Sequence, residues 1–311
     1  MKMIKTMLAS AVVASTLLAP MTSSAAEVKK IGLAVANLQA NFFNQIKQSV
    51  EAYAGDKGIQ VITVDARGDS ATQVSQVQDL LSQNIDALIY IPAGAAAATV
   101  PARLAHAQDV PVINIDRNAD GEPGDTFIAT DSVASAYQVC KHIINEAGNK
   151  GTMLMVHGQK GTTPERDRTE GCNKAIAEYP DVKVVEEQWS QMWSQDEGFQ
   201  ITQNLLQAHP DTDIIFAQAD GLALGAAQAV KVAGLDHRVY IGGFDGDTAA
   251  LEAIRDGVFD VTATQQTQKM GRLAVDMADK LVKGDKVEPV QLLDATLTTK
   301  DNVDGFIANH P

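Results

Sequence analysis

Short apolar runs alternate with amphipathic stretches along this chain, and the whole series occurs twice. In the first half the apolar runs, rich in Val and Ile, lie at 31–37, 61–65, 87–93 and 110–116. Such runs are typical of strands that a parallel sheet buries on both faces. The amphipathic stretches between them, which predict helices, lie at 41–57, 70–84 and 96–108. This half therefore predicts a βαβ series, and hence a doubly wound parallel sheet.

The second series follows a segment rich in Gly, Pro and Asp and a short extended stretch at 126–132. Its predicted strands lie at 151–158, 182–188, 213–220, 239–245 and 259–265. Its predicted helices lie at 166–178, 196–208, 221–233 and 247–256. A chain of 311 residues is long enough for two ordinary domains. The sequence thus predicts two α/β domains in tandem, each built on a doubly wound parallel sheet.

The first residues have the features of a secretory signal. Lys2 and Lys5 precede an apolar stretch at 7–18, and small residues occupy 24–26. This pattern predicts a signal peptide at 1–26 that is cleaved after Ala26, and export to the periplasm. No later stretch approaches the roughly 20 apolar residues of a membrane span, so we expect a soluble exported chain without direct membrane insertion.

Charge and cysteine content narrow the classes of partner. The 25 basic residues face 39 acidic ones, a formal net charge of −14, which argues against nucleic acid or anionic membrane surfaces. Cys140 and Cys172 are the only cysteines, and in an oxidising compartment a disulfide is favoured over two inert thiols. Two thiols without a His/Cys cluster are too few for a zinc site.

Acidic residues stand where several predicted strands end, namely Asp65, Asp116, Asp220 and Asp245. Open α/β sheets bind ligands at the carboxyl ends of their strands. We therefore expect these acids to line a cleft shared by the two domains. For each of them, capping of the following helix is the alternative.

Motifs for cofactors, catalysis and metals are missing. The sequence contains no G-x-G-x-x-G after a strand, no G-x-x-x-x-G-K-[ST] and no G-x-S-x-G, and its six histidines show no metal-ligand spacing. From Asp116 the chain does follow the D-x-N-x-D-G order of a calcium loop, but the twelfth position is Phe127, not an acid, and a strand precedes it. We therefore predict neither cofactor nor metal.

Asp116 and Arg117 instead suit a polyhydroxylated ligand. A carboxylate accepts hydroxyl protons, a guanidinium donates in a fixed fork, and such charge-assisted bonds are strong. Aromatic rings can cover the apolar side of a sugar ring, and the candidates are Phe42, Phe43, Trp189 and Trp193. For Phe42 and Phe43, packing in the core is the alternative.

Several segments together carry a resemblance to a known family. They are "NLQANFFNQIKQ", "VINIDRN", "GQKGTTPERDRTEG", "QNLLQAHPDTDIIFAQAD", "IGGFDG" and "VTATQQ". Along essentially its whole exported part, the chain resembles the periplasmic sugar-binding proteins of ATP-driven importers, in particular the ribose-binding group. That family binds its sugar between two α/β domains joined by a three-segment hinge.

The resemblance implies a set of ligand-binding residues. Phe42 and Phe43 would wall the sugar ring, with Trp193 as an aromatic residue from the second domain. The implied hydroxyl partners are Asp116, Arg117, Arg166, Asp245 and Gln265. Alanines replace polar residues of the ribose binder at Ala36, Ala40 and Ala219. We expect the polar neighbours of these alanines to supply a different hydrogen-bond set, namely Asn37, Gln39, Asn41 and Asp220.

The resemblance also implies how the chain divides. Crossings between the domains are expected near 130, 265 and 294. The first domain would then comprise 27–130 plus 266–294, and the second 131–265 plus 295–311. The family further implies a monomer.

Our leading hypothesis is a periplasmic solute-binding protein, not an enzyme. It would capture a monosaccharide or sugar alcohol by hinge closure and deliver it to the membrane permease of an ABC importer. A sugar carrier for chemotaxis or signalling stays an alternative, since it needs the same closure. A secreted carbohydrate-active enzyme would need Asp116 and Asp245 as acid and base. Arg117 and Arg166 argue against that role, because we expect them to keep both carboxylates ionised.

Overall fold

The computed structural model describes residues 27–95 and 97–310. The predicted signal peptide at 1–26 lies outside the described residues, so its cleavage stays a prediction. Within the described ranges, no helix combines the length and the apolar character that crossing a membrane requires.

The first predicted sheet is present and has six strands, five of them from the first half of the chain. They are β1 Lys30–Val35, β2 Gln60–Asp65, β3 Ala87–Tyr90, β4 Val112–Ile115 and β5 Thr126–Thr130. Helices connect the strands: α1 Asn41–Asp56, α2 Ser70–Ser82 and α3 Thr99–His106. The sixth strand, β11 Val290–Leu293, pairs in parallel with β5, which gives the order β2-β1-β3-β4-β5-β11.

The second sheet also has six strands, in the order β7-β6-β8-β9-β10-β12. They are β6 Gly151–His157, β7 Val182–Trp189, β8 Ile214–Ala217, β9 Tyr240–Gly242, β10 Val261–Thr264 and β12 Thr296–Thr299. All are parallel except β12, which pairs antiparallel with β10 at the edge. The remaining helices are α4 Ser132–Glu146, α5 Thr163–Ile176, α6 Gln195–Ala208, α7 Asp220–Ala233, α8 Thr248–Arg255, α9 Thr267–Val282 and α10 Val303–Ala308.

Each sheet is covered by helices on both faces, as the continuous apolar runs predicted. Side chains of α1 and α9 pack on one face of the first sheet, and those of α2 and α3 pack on the other. Helices α6, α7 and α8 cover one face of the second sheet, and α4 and α5 cover the other. We call the first sheet with α1–α3 and α9 the first lobe, and the second sheet with α4–α8 and α10 the second lobe. The predicted fold class is confirmed.

Three helices, α4, α9 and α10, and two strands were not predicted individually. Helices α4 and α9 lie in the stretches that connect the two series, although Asp131 caps α4 by accepting a hydrogen bond from the Ala134 backbone N–H. Strands β11 and β12 are short edge strands with partly exposed residues, so neither forms a continuous apolar run. The chain therefore changes sheet at three connections: β5 to β6, β10 to β11, and β11 to β12. The exact domain bounds near 130, 265 and 294 stay a prediction.

A disulfide ties α4 to α5, as predicted. Cys140 and Cys172 are bonded, with their Cα atoms 5.3 Å apart. The neighbouring Gly171 makes this close approach possible, because a side chain there would collide with the carbonyl oxygen of Val133 on α4. The two helices thus pack backbone to backbone, and the disulfide fixes α5 against the second sheet.

Candidate functional site

A cavity of about 250 Å³ lies between the two lobes, at the carboxyl ends of their strands. In each sheet the strand order reverses beside the first strand, at β1 and at β6. This reversal opens a crevice in which doubly wound sheets bind ligands. The first lobe lines the cavity with 39–43 and with Asp116 and Arg117. The second lobe lines it with residues from four segments: 164–168, 192–195, 219–224 and 245–249. Its volume suits one small molecule rather than a chain of sugars.

Most of the predicted site residues line this cavity. They are Gln39, Asn41, Phe42, Phe43, Asp116, Arg117, Trp193 and Asp245. Of the three alanines that depart from the ribose-binding pattern, Ala40 and Ala219 also line it, whereas Ala36 is buried in the core of the first lobe. The structure thus brings residues from both lobes around one space.

Phe42 and Phe43 satisfy both interpretations given to them. Their rings meet edge to face, with centroids 5.3 Å apart, and both line the cavity. Both are also buried members of the first lobe's core, because they lie in the first turn of α1, which packs on the first sheet. They are therefore rigid walls.

Trp193 supplies an aromatic wall from the second lobe. Its backbone φ is 61°, in the left-handed region, and its indole lies against Gly158 so closely that any side chain at 158 would collide with it. Trp189, the other aromatic candidate, lies outside the cavity, which corrects that prediction. Its ring stacks on His157 with centroids 4.6 Å apart, and it donates a hydrogen bond to Glu165.

Asp116 and Arg117 follow β4 directly, and Asp116 has a φ of 61° that turns the strand end into the cavity loop. Arg117 is buried between the rings of Phe43 and Trp193, 5.1 and 5.6 Å from their centroids. It donates to the carbonyl oxygen of Pro92 at 2.9 Å. Burial lowers the pKa of Arg117 to about 10, so the guanidinium keeps its charge at neutral pH.

The second arginine of the cavity is Arg168, not Arg166. Arg166 lies at the surface, with its side chain 45% exposed, in an ion pair with Asp120. Arg168 is buried and lines the cavity, and its Nη1 lies 3.6 Å from the Asp245 carboxylate. The two arginines are two residues apart on α5 and so point to opposite sides of the helix. The spacing from Pro164, four residues earlier on the same buried face, could have identified Arg168.

Gln265, which follows β10 where the chain leaves the second sheet, holds Asp245. The Gln265 side chain donates to Asp245 Oδ1 at 2.8 Å and accepts from the Thr130 hydroxyl at 2.5 Å. Gln265 itself is fully buried and does not line the cavity. It therefore positions a cavity carboxylate and does not face the cavity itself.

Three other predicted polar residues lie behind the cavity wall. The Asn37 side chain accepts a hydrogen bond from the backbone N–H of Gln39, and Asp65 accepts from Leu38. Asp220 accepts from the backbone N–H groups of Gly246 and Asp247, at 2.7 and 2.8 Å. Of the four strand-end acids, only Asp116 and Asp245 line the cavity; Asp65 and Asp220 hold its loops.

Asp247 lines the cavity and was missed by the sequence analysis. Its Oδ1 accepts a hydrogen bond of 3.0 Å from the Asn41 side chain, so the pair joins the two lobes across the cavity. Asp247 lies two residues after Asp245 in the G-F-D-G-D segment, and this short spacing could have identified it as a second acid of the same loop.

Burial dominates the electrostatics of the cavity acids. It raises the pKa of Asp116, which Arg168 and Arg117 only partly lower, and it raises the pKa of Asp245 well above its ordinary value. The arginines therefore offset only part of the cost of burying these carboxylates, because desolvation exceeds their attraction. A ligand that donates hydrogen bonds to these two carboxylates would lower the free-energy cost of their burial.

Several buried donors of the cavity residues also lack partners. Among the described residues, the Nε atoms of Arg117 and Arg168 and the indole N–H of Trp193 make no hydrogen bond. An unpaired buried donor costs about 1 to 3 kcal/mol, which a ligand oxygen would recover. In the part of the chain that the structure describes, no group of three or more His, Cys, Asp or Glu could hold a metal ion. The donors and carboxylates together match a molecule rich in hydroxyl groups.

Comparisons with known proteins agree with this geometry. The periplasmic binding protein domain matches residues 31–286. The chain is 36% identical to the ribose import binding protein of Bacillus subtilis (strain 168), over 83% of each chain. It is 31% identical to the xylitol-binding protein of Mycolicibacterium smegmatis, over 91% of this chain and 80% of that one.

A solved structure shows the same fold. An ABC transporter solute binding protein from Bacillus halodurans C-125, with bound myo-inositol, superposes with a TM-score of 0.85 at 28% identity, covering 92% of this chain and 99% of that one. All three relatives are binding proteins and not enzymes, as expected for this chain, and the solved structure is the solute binding protein of an ABC transporter. The chain therefore belongs to the type I periplasmic binding proteins, in the ribose-binding group.

Proposed function

We propose that this periplasmic protein captures one monosaccharide or sugar alcohol between its lobes and presents it to the membrane permease of an ABC importer. The observation that carries the proposal is the cavity itself. Asp116 and Arg117 from the first lobe face Arg168 and Asp245 from the second, between aromatic walls. Relatives that bind ribose, xylitol and myo-inositol support a single small polyol as the ligand class.

Direct contacts between the lobes support a mechanism of hinge closure. Arg117 Nη1 donates to the Gln159 side chain at 3.2 Å, and the Asn118 backbone N–H donates to the Thr163 hydroxyl at 3.1 Å. The structure is thus a closed form. A ligand that contacts both lobes stabilises this form selectively, and shifting the open–closed ratio from 1:99 to 99:1 takes about 5.5 kcal/mol of differential binding.

We further propose that the connections near 130, 265 and 294 form the hinge. Thr130 and Gln265 lie side by side there and are joined by a hydrogen bond. Gln265 also holds Asp245, so the hinge contacts a cavity carboxylate through one side chain. The closed form that a permease receives is also the form that a chemoreceptor would receive, so a signalling role needs no further site.

The test is a binding screen with the chain 27–311, unfolded and refolded to remove carried-over ligand. We expect a few related sugars or polyols to raise its melting temperature and to give saturable heats in calorimetry. At a ligand concentration of a hundred times the dissociation constant, the gain is about 2.7 kcal/mol.

A matched pair of variants localises the binding. Trp193→Ala removes a cavity wall and should abolish the shift, whereas Trp189→Ala, outside the cavity, should keep it. A folded protein that binds no compound of a broad panel of pentoses, hexoses, cyclic polyols and their amino derivatives would overturn the proposed function.

A further inference from the structure

The charges of the cavity do not balance. Three acids line it, Asp116, Asp245 and Asp247, against two bases, Arg117 and Arg168. The bases are already engaged, because Arg117 Nε lies 3.6 Å from Asp116 and Arg168 Nη1 lies 3.6 Å from Asp245. The residues implied by the family resemblance account for two of the acids, and the third, Asp247, is additional.

The printed partner of the Asp247 side chain is neutral: its hydrogen bond comes from the amide of Asn41. Among the described residues, no Lys or Arg side chain forms an ion pair with its carboxylate. Oδ1 accepts that bond, which leaves Oδ2 as the open acceptor of a carboxylate that lines the cavity.

The surroundings of Asp247 add negative charge. The fully buried Asp220 lies behind it and accepts its backbone N–H at 2.8 Å, and Asp245 stands two residues away. Arg168 reaches Asp245, and the His310 ring contacts the carbonyl oxygen of Gly246. Burial first, and then Asp220, raise the pKa of Asp247 to about 7. The part of the cavity that Asp247 lines therefore favours a cation.

We propose that the ligand is a polyol that carries one basic amine, and that the ammonium group binds Asp247. This inference rests on the proposed function and specifies its ligand class. An ammonium group offers three donors and one positive charge. It would balance the cavity, while the hydroxyl groups of the same molecule meet Asp116, Arg117, Arg168 and Asp245. A neutral polyol leaves the third acid without a counter-charge, which is costly in a closed cavity.

The test compares matched pairs of compounds that differ by one group. Each pair is a neutral sugar or cyclic polyol and its monoamino derivative, and binding to the refolded chain 27–311 is measured by calorimetry at pH 7.5. We expect at least one amine to bind about tenfold or more tightly than its neutral counterpart, as a desolvated charge pair requires.

Two substitutions assign the effect to Asp247. In Asp247→Asn the preference for the amine should fall below about threefold, because the counter-charge is gone. Asp236→Asn makes the same change in net charge at a fully exposed position and should keep the preference. An amine preference that survives Asp247→Asn unchanged would overturn the assignment.

A second measurement does not depend on how the variants fold. In the wild-type protein, amine affinity should fall as the pH drops below about 7, the pKa of Asp247, because Asp247 gains a proton while the amine keeps its own. The affinity of the neutral counterpart should not fall in parallel. If neutral compounds bind as tightly as amines, this inference fails and the polyol function stands; if no compound of either kind binds, the proposed function fails as well.

Discussion

Arg166 contacts both carboxylate oxygens of Asp120, at 2.6 and 3.2 Å, and this ion pair joins the two lobes at the surface outside the cavity. It therefore contributes to closure without facing the ligand. Exposed pairs of this kind stabilise by about 0.2 to 1 kcal/mol. We expect Arg166→Ala to weaken ligand binding less than about fivefold, with an effect that shrinks at high salt.

Arg168→Ala should behave differently, because Arg168 is buried in the cavity wall beside Asp245. Truncating one partner of a buried charge pair costs about 2 to 5 kcal/mol, which corresponds to a loss of more than about 30-fold in affinity. Calorimetry on both variants at low and high salt checks the pair of predictions. Equal losses for the two variants would show that Arg166 reaches the ligand after all.

Gly158→Ala should damage the cavity without adding or removing any polar group. A methyl group at 158 collides with the Trp193 indole, so the ring must move. We expect an affinity loss of about tenfold, because the displaced indole no longer lies in its place against the ligand. Gly55→Ala is the control, because a side chain on that α1 residue meets open space, and it should leave affinity unchanged.

Tryptophan fluorescence can report the surroundings of the Trp193 indole in the same experiment. Trp189→Phe leaves Trp193 as the only tryptophan, since the chain has two. In that background, Gly158→Ala should shift the emission maximum of the ligand-free protein. An unchanged spectrum together with unchanged affinity would mean that the loop after β6 absorbs the methyl group.

The ligand-free protein should lose stability as pH rises through the acidic range. The pKa of Asp247 is about 7 in the folded protein, against an ordinary value of 3.8 when unfolded. The folded state therefore binds this proton more tightly, and the free energy of unfolding falls between these two pH values and levels off above them. Asp220 and Asp245 act in the same direction, because burial raises their pKa values too.

Asp247→Asn isolates the contribution of one of these groups. It should melt closer to the wild type at pH 4 than at pH 7.5, where the wild type carries the cost of a buried charge. Thermal melts of both proteins across this range, without ligand, measure the difference. A constant difference in melting temperature at all pH values would contradict the raised pKa.

Reducing the Cys140–Cys172 disulfide should destabilise the second lobe. The bond closes a loop with a sequence separation of 32, which in the chain-entropy model contributes about 3 to 4 kcal/mol. Urea unfolding with and without reductant, and of the Cys140→Ala/Cys172→Ala variant, should show a lower midpoint with a similar slope. If the midpoint does not move, α4 and α5 are held by packing alone.

The fold was predictable because buried parallel strands leave a continuous apolar signal. Strands such as β3 and β4 are fully buried, and both were predicted from Val- and Ile-rich runs. β11 and β12 lie at the sheet edges, where Val290 and Leu292 are exposed, and their short mixed segments carry no such signal. These two edge strands are fixed by tertiary pairing rather than by local pattern, whereas the edge strands β2 and β7 were predicted.

The site was predictable where a residue's place follows from a strand end, as for Asp116 and Asp245. It was not predictable where helix phase decides the direction of a side chain. Arg166 and Arg168 have the same chemistry, and only the start of α5 determines which of them is buried. Likewise Gln265 and Asp220 have suitable chemistry, but Asp245 and Thr130 already occupy the amide of Gln265, and the loop after β9 occupies the carboxylate of Asp220.

The path of the chain through the two sheets constrains the order in which the protein can fold. The last strand of the first sheet lies at 290–293, and that of the second sheet lies at 296–299. Helix α9, which begins at residue 267, also belongs to the core of the first lobe. Domains made of continuous sequence can fold one after the other as the ribosome releases them. Here neither sheet can be completed until nearly the whole chain has been made, so the two lobes reach their final form together, at the end of synthesis or after it.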